Sequence, residues 1–171
     1  MNLESYIRST PDFPKPGIIF RDFTPMLANG PAFQEMIDRL KARHQDTPID
    51  VVVGIEARGF ILAAALAYAL GAGTVLVRKE GKLPHATHRQ EYLLEYGSNV
   101  LEIQQDAFQD GQRILIIDDV LATGGTVAAT VEIIRAHFDV EIREIDFLME
   151  LDDLKGREKL ADLPVHSVLH Y

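Results

Sequence analysis

The stretch that decides the fold is RILIIDDVLATGGT, which runs from Arg113 to Thr126. It begins with branched apolar residues, which are typical of a strand buried in a parallel sheet. The strand ends at two adjacent carboxylates, Asp118 and Asp119, and a turn of small residues then opens a helix. In open α/β sheets, ligands bind beyond the carboxyl ends of the strands. The stretch therefore predicts both a parallel sheet and a ligand site at its edge.

The small-residue turn, residues 123–126, suits a phosphate group. Its glycines let backbone N–H groups converge at a helix N-terminus, and its threonine hydroxyls also donate hydrogen bonds. Carboxylates repel phosphate, so Asp118 and Asp119 should bind hydroxyl groups of the same ligand or a bridging metal. A ribose 5-phosphate meets both demands. A plain strand–turn–helix with a polar strand end is the alternative that these residues leave open.

Apolar runs and helical patterns alternate on both sides of this stretch, which predicts an open, mostly parallel α/β sheet of about five strands flanked by helices. We predict a single domain over residues 1–171, with a small N-terminal hood at about 1–30 and a mobile lid loop at about 80–98. The patterns predict helices at 31–44, 57–70 and 126–137, and strands at 49–55, 73–77, 92–94, 100–103, 113–120 and 141–149.

Composition excludes several classes of protein. The 171 residues contain no cysteine, which excludes disulfides and thiolate metal sites. The net charge of −9 argues against nucleic-acid binding, and no apolar run is long enough for a membrane span or a signal peptide, so we expect a cytoplasmic protein. Residues 54–59 have the glycine spacing of an NTPase phosphate loop, but Phe60 and Ile61 replace the required Lys and Ser/Thr.

Residues 118–126, DDVLATGGT, resemble the phosphoribosyl-diphosphate motif of the type I phosphoribosyltransferases. Five flanking segments are similar to hallmarks of the adenine phosphoribosyltransferases, so the resemblance covers almost the whole chain. These segments are DFPKPGIIFRDFTPML (12–27), GIEARGF (54–60), VRKEGKLPHAT (77–87), LEYG (94–97) and LKGREKL (154–160).

The resemblance implies a type I phosphoribosyltransferase fold and a purine-salvage enzyme, a pentosyltransferase. Such an enzyme converts adenine and 5-phospho-α-D-ribose 1-diphosphate to AMP and diphosphate. It implies Mg²⁺ bound mainly through the diphosphate, with no direct side-chain ligand, and a homodimer. Two alternatives stay open: an enzyme acting on a 6-oxopurine, and a non-catalytic ligand-sensing regulator of the same fold.

Binding of the phosphoribosyl diphosphate follows from the same resemblance. Four basic residues stand against one acidic residue between Arg78 and Arg89, and Arg89 is a further candidate cation for the diphosphate. The alternative is a solvated surface loop. We expect residues 82–89 to close over the site and exclude water, and His85 and His88 to be merely exposed. The residues expected to bind this donor are Arg58, Arg78, Lys79, Lys82, Tyr96, Asp118, Asp119, Ala122, Thr123, Gly124, Gly125 and Thr126.

The expected catalytic residues are Glu95, Lys82 and Arg58. Glu95 would be the general acid/base for the purine proton as N9 attacks; the alternative is a structural carboxylate paired with a basic lid residue. The backbone at residues 56–58 resembles the diphosphate loop of the family, in which the peptide bond before Arg58 is expected to be cis.

Adenine should be recognised through its 6-amino group and N1. Backbone groups at Ile19 and Arg21, in an irregular segment, would meet both. The resemblance adds Phe20 and Leu151 as apolar faces on either side of the ring. Both residues otherwise suit an ordinary core.

Overall fold

The apolar runs become strands and the helical patterns become helices in the computed structural model, which describes residues 1–93 and 98–171. The chain divides into two units, Met1–Arg43 and His44–Tyr171. Among the described residues, none of the helices combines the length and apolar character needed to cross a bilayer.

The first unit contains a two-stranded antiparallel sheet and two helices. The predicted helix at 31–44 is confirmed, and its apolar residues Met36 and Leu40 are fully buried. The segment around Phe20 was expected to be irregular, but it is a strand whose backbone pairs with β1, so part of its hydrogen-bonding capacity is already used. The elements are a 3₁₀ turn (Leu3–Tyr6), β1 (Arg8–Pro11), β2 (Ile19–Asp22), α1 (Thr24–Ala28) and α2 (Gly30–His44).

The second unit contains a seven-stranded sheet in the order β5-β6-β4-β3-β7-β8-β9. The prediction of a mostly parallel sheet is confirmed, because β4, β3, β7, β8 and β9 run parallel, whereas β6 pairs antiparallel with both β4 and β5. The elements are β3 (Val51–Ile55), α3 (Gly59–Leu70), β4 (Gly73–Lys79), β5 (Thr87–Leu93), β6 (Ser98–Gln104), β7 (Arg113–Leu121), α4 (Gly125–His137), β8 (Glu141–Glu150) and β9 (Val165–His170), with 3₁₀ turns at Asp152–Leu154 and Gly156–Leu160.

The prediction of about five strands was wrong because the two edge strands have weak sequence signals. β5 carries polar residues at most positions and pairs on one side only, with β6. The predicted lid is affected as well, because Thr87, His88 and Arg89 belong to this strand and only residues 80–86 connect β4 to β5. A strand at the edge of a sheet needs no apolar run, and hydropathy therefore does not reveal it.

Alternate residues of the central strands face different helices. Val53 and Ile116 belong to a buried cluster with Val127 and Ile134 of α4. Gly54, the next residue of β3, faces α3, where a Cβ on it would lie 2.7 Å from the Cβ of Ala63. Strand side chains alternate between the two faces of a sheet, so the helices flank it as predicted.

A fork of hydrogen bonds fixes the register of β3 against β7. The Asp50 carboxylate accepts from the backbone N–H, Nε and Nη2 of Arg113, each at 2.8 Å. These hydrogen bonds hold the pKa of Asp50 well below its ordinary value. They join the residue before β3 to the first residue of β7, so both strands start from one fixed point.

A buried histidine–aspartate pair joins His44, at the end of α2, to Asp146 of β8. Asp146 is fully buried, and its Oδ2 lies 2.7 Å from His44 Nε2. Its Oδ1 has no hydrogen-bond partner among the described residues. Desolvation raises the pKa of Asp146, against the opposing effect of His44. Because water does not reach this carboxylate, the hydrogen bond with His44 is needed to offset the cost of burying it.

We expect His44→Ala to destabilise this unit by about 3–5 kcal/mol, the usual cost of leaving one member of a buried pair alone. Thermal unfolding of the variant and the wild type checks this. His85→Ala is the matched control, because the His85 side chain is 62% exposed. Equal losses of melting temperature in the two variants would show that the buried pair contributes nothing of its own.

Candidate functional site

A cavity of about 520 Å³ opens at the carboxyl ends of β3 and β7. It brings together most of the residues that the sequence predicted for phosphate and ribose, and Leu101, Val127 and Phe147 contribute its apolar walls. The predicted residues that line it are Arg58, Lys79, Asp118, Asp119, Ala122, Thr123, Gly124, Gly125 and Thr126.

The predicted phosphate turn forms between β7 and α4. Gly124 caps the helix with a φ of 77°, a left-handed conformation that favours glycine. The helix begins at Gly125, one residue earlier than predicted. The N–H groups of the first turn of a helix have no acceptor within the helix, and this first turn lines the cavity. The Thr126 hydroxyl lies 3.3 Å from the Tyr92 hydroxyl. The turn thus presents the donors that an anion requires.

The two carboxylates at the end of β7 are held differently. Asp118 Oδ1 accepts a hydrogen bond from the Asp119 backbone N–H at 2.9 Å. Asp119 is buried and forms an ion pair with Arg58, with 2.7 Å between Oδ2 and Nε. The Arg58 contact does not have the geometry of a hydrogen bond, so this oxygen keeps its capacity to accept one. A buried acceptor of this kind suits a ligand hydroxyl.

Desolvation and the adjacent charge of Asp119 raise the pKa of Asp118 well above its ordinary value. Desolvation also raises the pKa of Asp119, although the Arg58 guanidinium acts in the opposite direction. Two carboxylates this close do not both ionise readily, so the pair retains a proton more strongly than an exposed aspartate does. Groups that share a cavity and have shifted pKa values are typical of functional sites.

Glu56 organises the cations on the other side of the cavity. Its Oε2 accepts from the Lys79 backbone N–H at 2.9 Å and from Arg78 Nε at 3.3 Å, and its Oε1 lies 3.9 Å from Lys82 Nζ. Desolvation raises the pKa of Glu56, but the hydrogen bonds from Lys79 and Arg78 outweigh it and hold the pKa below its ordinary value. Arg78 and Lys82 do not line the cavity themselves, but they contact Glu56, which does line it.

The turn after β3 contains a cis peptide bond, one residue earlier than expected. It joins Glu56 to Ala57, whereas the resemblance predicted a cis bond between Ala57 and Arg58. A resemblance in a short loop locates such a bond only to within a residue.

The remaining basic and histidine residues of the predicted lid lie away from the cavity. Arg89 forms ion pairs with Glu80 and with Glu102. His88 stacks on His137 with 3.9 Å between ring centroids, and desolvation followed by the charge of His137 lowers its pKa. Neither Arg89 nor His88 lines the cavity.

Sequence reasoning missed several residues of the site. Tyr92 was taken only as a strand residue, yet it lines the cavity with Asn99, whose Nδ2 lies 3.5 Å from the Tyr92 hydroxyl. The side chain of Glu56 was also missed. Lys159 Nζ lies 3.9 Å from the point that a Cβ on Gly125 would occupy, so a cation stands beside the phosphate turn. The LKGREKL segment was the only signal that pointed to Lys159.

Glu95 and Tyr96, predicted for catalysis and donor binding, lie outside the described residues. The residues predicted for adenine fall in both units. In the first unit, Ile19 is exposed and Arg21 donates to Ser9 Oγ. In the second unit, Leu151 is half-buried, and its backbone N–H donates to Leu121 O at 2.9 Å, beside the end of β7.

Comparison with known proteins gives one consistent result. The family model described as phosphoribosyl transferase domain matches residues 24–162. An adenine phosphoribosyltransferase of Chloroflexus aurantiacus is 55% identical over 170 residues, which cover 99% of this chain and 98% of that protein. One of Geobacter metallireducens is 56% identical over 169 residues, with 99% and 98% covered.

Solved structures agree. The adenine phosphoribosyltransferase of Thermoanaerobacter pseudethanolicus is 44% identical with a TM-score of 0.94, covering 99% of this chain and 98% of its own. The Saccharomyces cerevisiae enzyme, solved with adenine and D-2,5-dideoxy-2,5-imino-altritol 1,6-bisphosphate, is 42% identical with a TM-score of 0.91, covering 97% and 96%. The similarity therefore extends over nearly the whole length of each chain.

The raised pKa of Asp118 predicts a specific effect on stability. Because the folded state holds this proton more tightly than the unfolded chain, stability falls as the pH rises from the ordinary aspartate range, near 3.8, through the raised pKa. Asp118→Asn removes that loss. We expect the variant to melt at the wild-type temperature near pH 4 and about 2–4 °C higher at pH 8, the shift that roughly 1 kcal/mol produces in a chain of this size.

Melting curves between pH 4 and pH 8 measure this difference. Asp110→Asn is the matched control, because Asp110 is exposed and should give no difference at any pH. A difference for Asp118→Asn that stays constant with pH, or a lower melting temperature at pH 8, would contradict the assignment.

Proposed function

Because the chain belongs to the phosphoribosyltransferase family, we propose that it joins adenine to 5-phospho-α-D-ribose 1-diphosphate and releases AMP and diphosphate. Adenine N9 bonds to the ribose C1 carbon, the bond from that carbon to the diphosphate oxygen breaks, and diphosphate leaves with the electron pair. The N9 proton passes to a base. The observation that carries the proposal is a single cavity in which paired carboxylates adjoin a phosphate turn.

The ribose 5-phosphate part of the donor fits the β7 end of the cavity. The turn at Ala122–Thr126 would hold the 5-phosphate through backbone N–H groups and hydroxyls. Asp118 and Asp119 would accept hydrogen bonds from the ribose hydroxyls, and the buried Asp119 Oδ2 still has capacity for one. Holding the sugar at both ends orients C1 for attack.

The diphosphate would lie on the β3 side, near Arg58 and Lys79. Arg78 and Lys82 would leave Glu56 and bind the diphosphate instead. Cations placed where negative charge develops on the leaving group lower the barrier. Mg²⁺ when bound neutralises further charge on the diphosphate, and Asp118 and Asp119 would meet it through its water shell. The raised pKa values of Asp118 and Asp119 disfavour the ionised carboxylates that direct ligation requires, which fits an ion held by substrate oxygens and water.

For the base, we propose the assignments that the resemblance implies. Ile19 and Arg21 would read adenine through their backbone, Phe20 and Leu151 would pack against the ring, and Glu95 would accept the N9 proton. The adenine named in the Saccharomyces cerevisiae structure supports this choice of base.

We further propose a homodimer that acts in the cytoplasm. Two large side chains of α3, Ile61 and Tyr68, are 43% and 91% exposed. Apolar surface of this kind on one helix supports a protein contact.

A direct assay tests the proposed function. Purified protein with Mg²⁺ and the phosphoribosyl donor should form AMP from adenine, and should discriminate strongly against hypoxanthine, guanine and xanthine. Backbone groups that match an amino group lose hydrogen bonds to a 6-oxo group, and in sites built to bind one polar group the penalty for the wrong one reaches about 10⁴-fold. Faster turnover of a 6-oxopurine would establish the related enzyme instead, and tight donor binding without turnover would establish a sensor.

Glu95→Gln separates a catalytic carboxylate from a structural one. The amide keeps the shape of the side chain but cannot accept a proton. We therefore expect kcat to fall by ~10²–10⁴, the usual range for general acid–base catalysis, while affinity for AMP and the melting temperature change little.

Glu91→Gln provides the matched control, since Glu91 is an exposed carboxylate on β5. Its kcat should equal that of the wild type. If Glu95→Gln instead lowers the melting temperature and leaves kcat nearly intact, Glu95 is structural.

A further inference from the structure

Two backbone segments contact each other directly behind the phosphate turn. A Cβ on Gly124 would lie 2.5 Å from the carbonyl oxygen of Gly156. A Cβ on Gly156 would overlap the carbonyl oxygen of Ala122 and lie 3.0 Å from the Gly124 nitrogen and 2.9 Å from Leu121 Cδ1. Neither position accepts a side chain unless the backbone moves, so the 3₁₀ turn at Gly156–Leu160 fixes where the phosphate turn can lie.

This 3₁₀ turn is itself anchored to the sheet. Arg157 forms a fork with the buried Glu150 at the end of β8, with Nε to Oε1 at 2.9 Å and Nη2 to Oε2 at 2.6 Å. Its Nη1 donates to Val165 O at 2.6 Å, and Ser167 Oγ donates to Glu150 Oε2 at 2.6 Å. The guanidinium thereby ties the turn to β8 and β9 through a planar, two-point contact that a single charge does not reproduce.

Leu160 holds the other end of the turn. Its side chain is 2% exposed and belongs to the buried cluster that includes Val127 of α4. The turn is therefore fixed at Arg157 by hydrogen bonds and at Leu160 by packing. Gly156 lies just before these anchors, pressed against the loop that ends β7.

We propose that the Gly156–Leu160 turn is a rigid support for the phosphate turn, and that Gly156 is a positioning residue for binding of the phosphate monoester. The inference rests on the proposed function and extends it to residues outside the cavity. Backbone N–H groups bind a phosphate well only when they converge on its oxygens within hydrogen-bonding distance, and a displacement of a few tenths of an ångström weakens several donors together. Gly156 acts through Ala122 and Gly124, without touching the ligand.

The test compares AMP with adenosine, which differ only in the phosphate. In Gly156→Ala the added methyl group must push Ala122 and Gly124 away. We expect AMP affinity to fall about tenfold or more, as overpacking of a rigid site implies, while adenosine affinity stays within about twofold. The KM for the phosphoribosyl donor should rise in parallel, with a smaller effect on kcat.

Gly73→Ala is the matched control. A Cβ there would meet its nearest neighbours, Asp50 O and Val51 Cγ2, at 3.7 and 3.8 Å, which is ordinary van der Waals contact. Both affinities should remain at their wild-type values. General destabilisation would lower affinity for AMP and adenosine together, so the ratio of the two affinities distinguishes positioning from loss of fold.

Arg157→Lys tests the same support without adding volume, and it decides the matter if Gly156→Ala does not fold. Lysine keeps the charge but cannot form the fork to Glu150, so AMP affinity should again fall relative to adenosine, by less than in Gly156→Ala. An unchanged AMP-to-adenosine ratio in the folded variants would overturn the inference. Failure of the wild-type protein to form AMP would instead overturn the proposed function, which keeps the two failures apart.

Discussion

Parallel pairing of β3 with β7 brings the two halves of the site together. The pairing runs from Val51 opposite Ile114 to Gly54 opposite Ile117, and the Asp50–Arg113 fork fixes its starting point. Since the strands run in the same direction, the turn after β3 and the carboxylates at the end of β7 emerge at one edge of the sheet. A slip of one residue would exchange the faces of every side chain on β7, and the cavity would lose its paired acids.

Although the chain has a net charge of −9, basic side chains stand beside the acidic ones around this cavity. A polyanion therefore meets cations there despite the net charge. Arg58 lies against Asp119, while Arg78 and Lys82 lie against Glu56. Asp119 and Glu56 are largely buried, and a buried charge is costly unless it is paired, so each of these acids has a cation beside it. The pKa of Asp118 is raised first by desolvation and then by the adjacent charge of Asp119, which is the remaining cost of burying two carboxylates side by side.

Sequence patterns predicted the parts of the site that are contiguous in the chain. The phosphate turn and its acids occupy nine consecutive residues, and a short strand–turn–helix has few possible geometries, so their position was correct. Glu56 was missed because its role depends on Arg78, 22 residues further along the chain, and Tyr92 was missed because an edge strand places it opposite Thr126. Long-range contacts of this kind leave no local pattern.

The fold shows the same limit. Buried strands such as β3 and β7 have continuous apolar runs and were predicted, whereas β5, an edge strand with mostly polar residues, was predicted only at its end, from residue 92. The contact of Gly156 with Gly124 is a similar case, because a glycine in a motif does not reveal which backbone approaches it.

The two ends of the proposed donor are held by different physical means, and this difference suits the reaction. The 5-phosphate would meet backbone dipoles on the loop that Gly156 contacts, and the product nucleotide would keep these contacts. The diphosphate would meet two side-chain cations, Arg78 and Lys82, that already have an alternative partner in Glu56. On release of the diphosphate, Arg78 and Lys82 would return to Glu56, whose side chain is 11% exposed and is costly to leave unpaired. The contacts proposed for the diphosphate and those proposed for the 5-phosphate are thus separate sets.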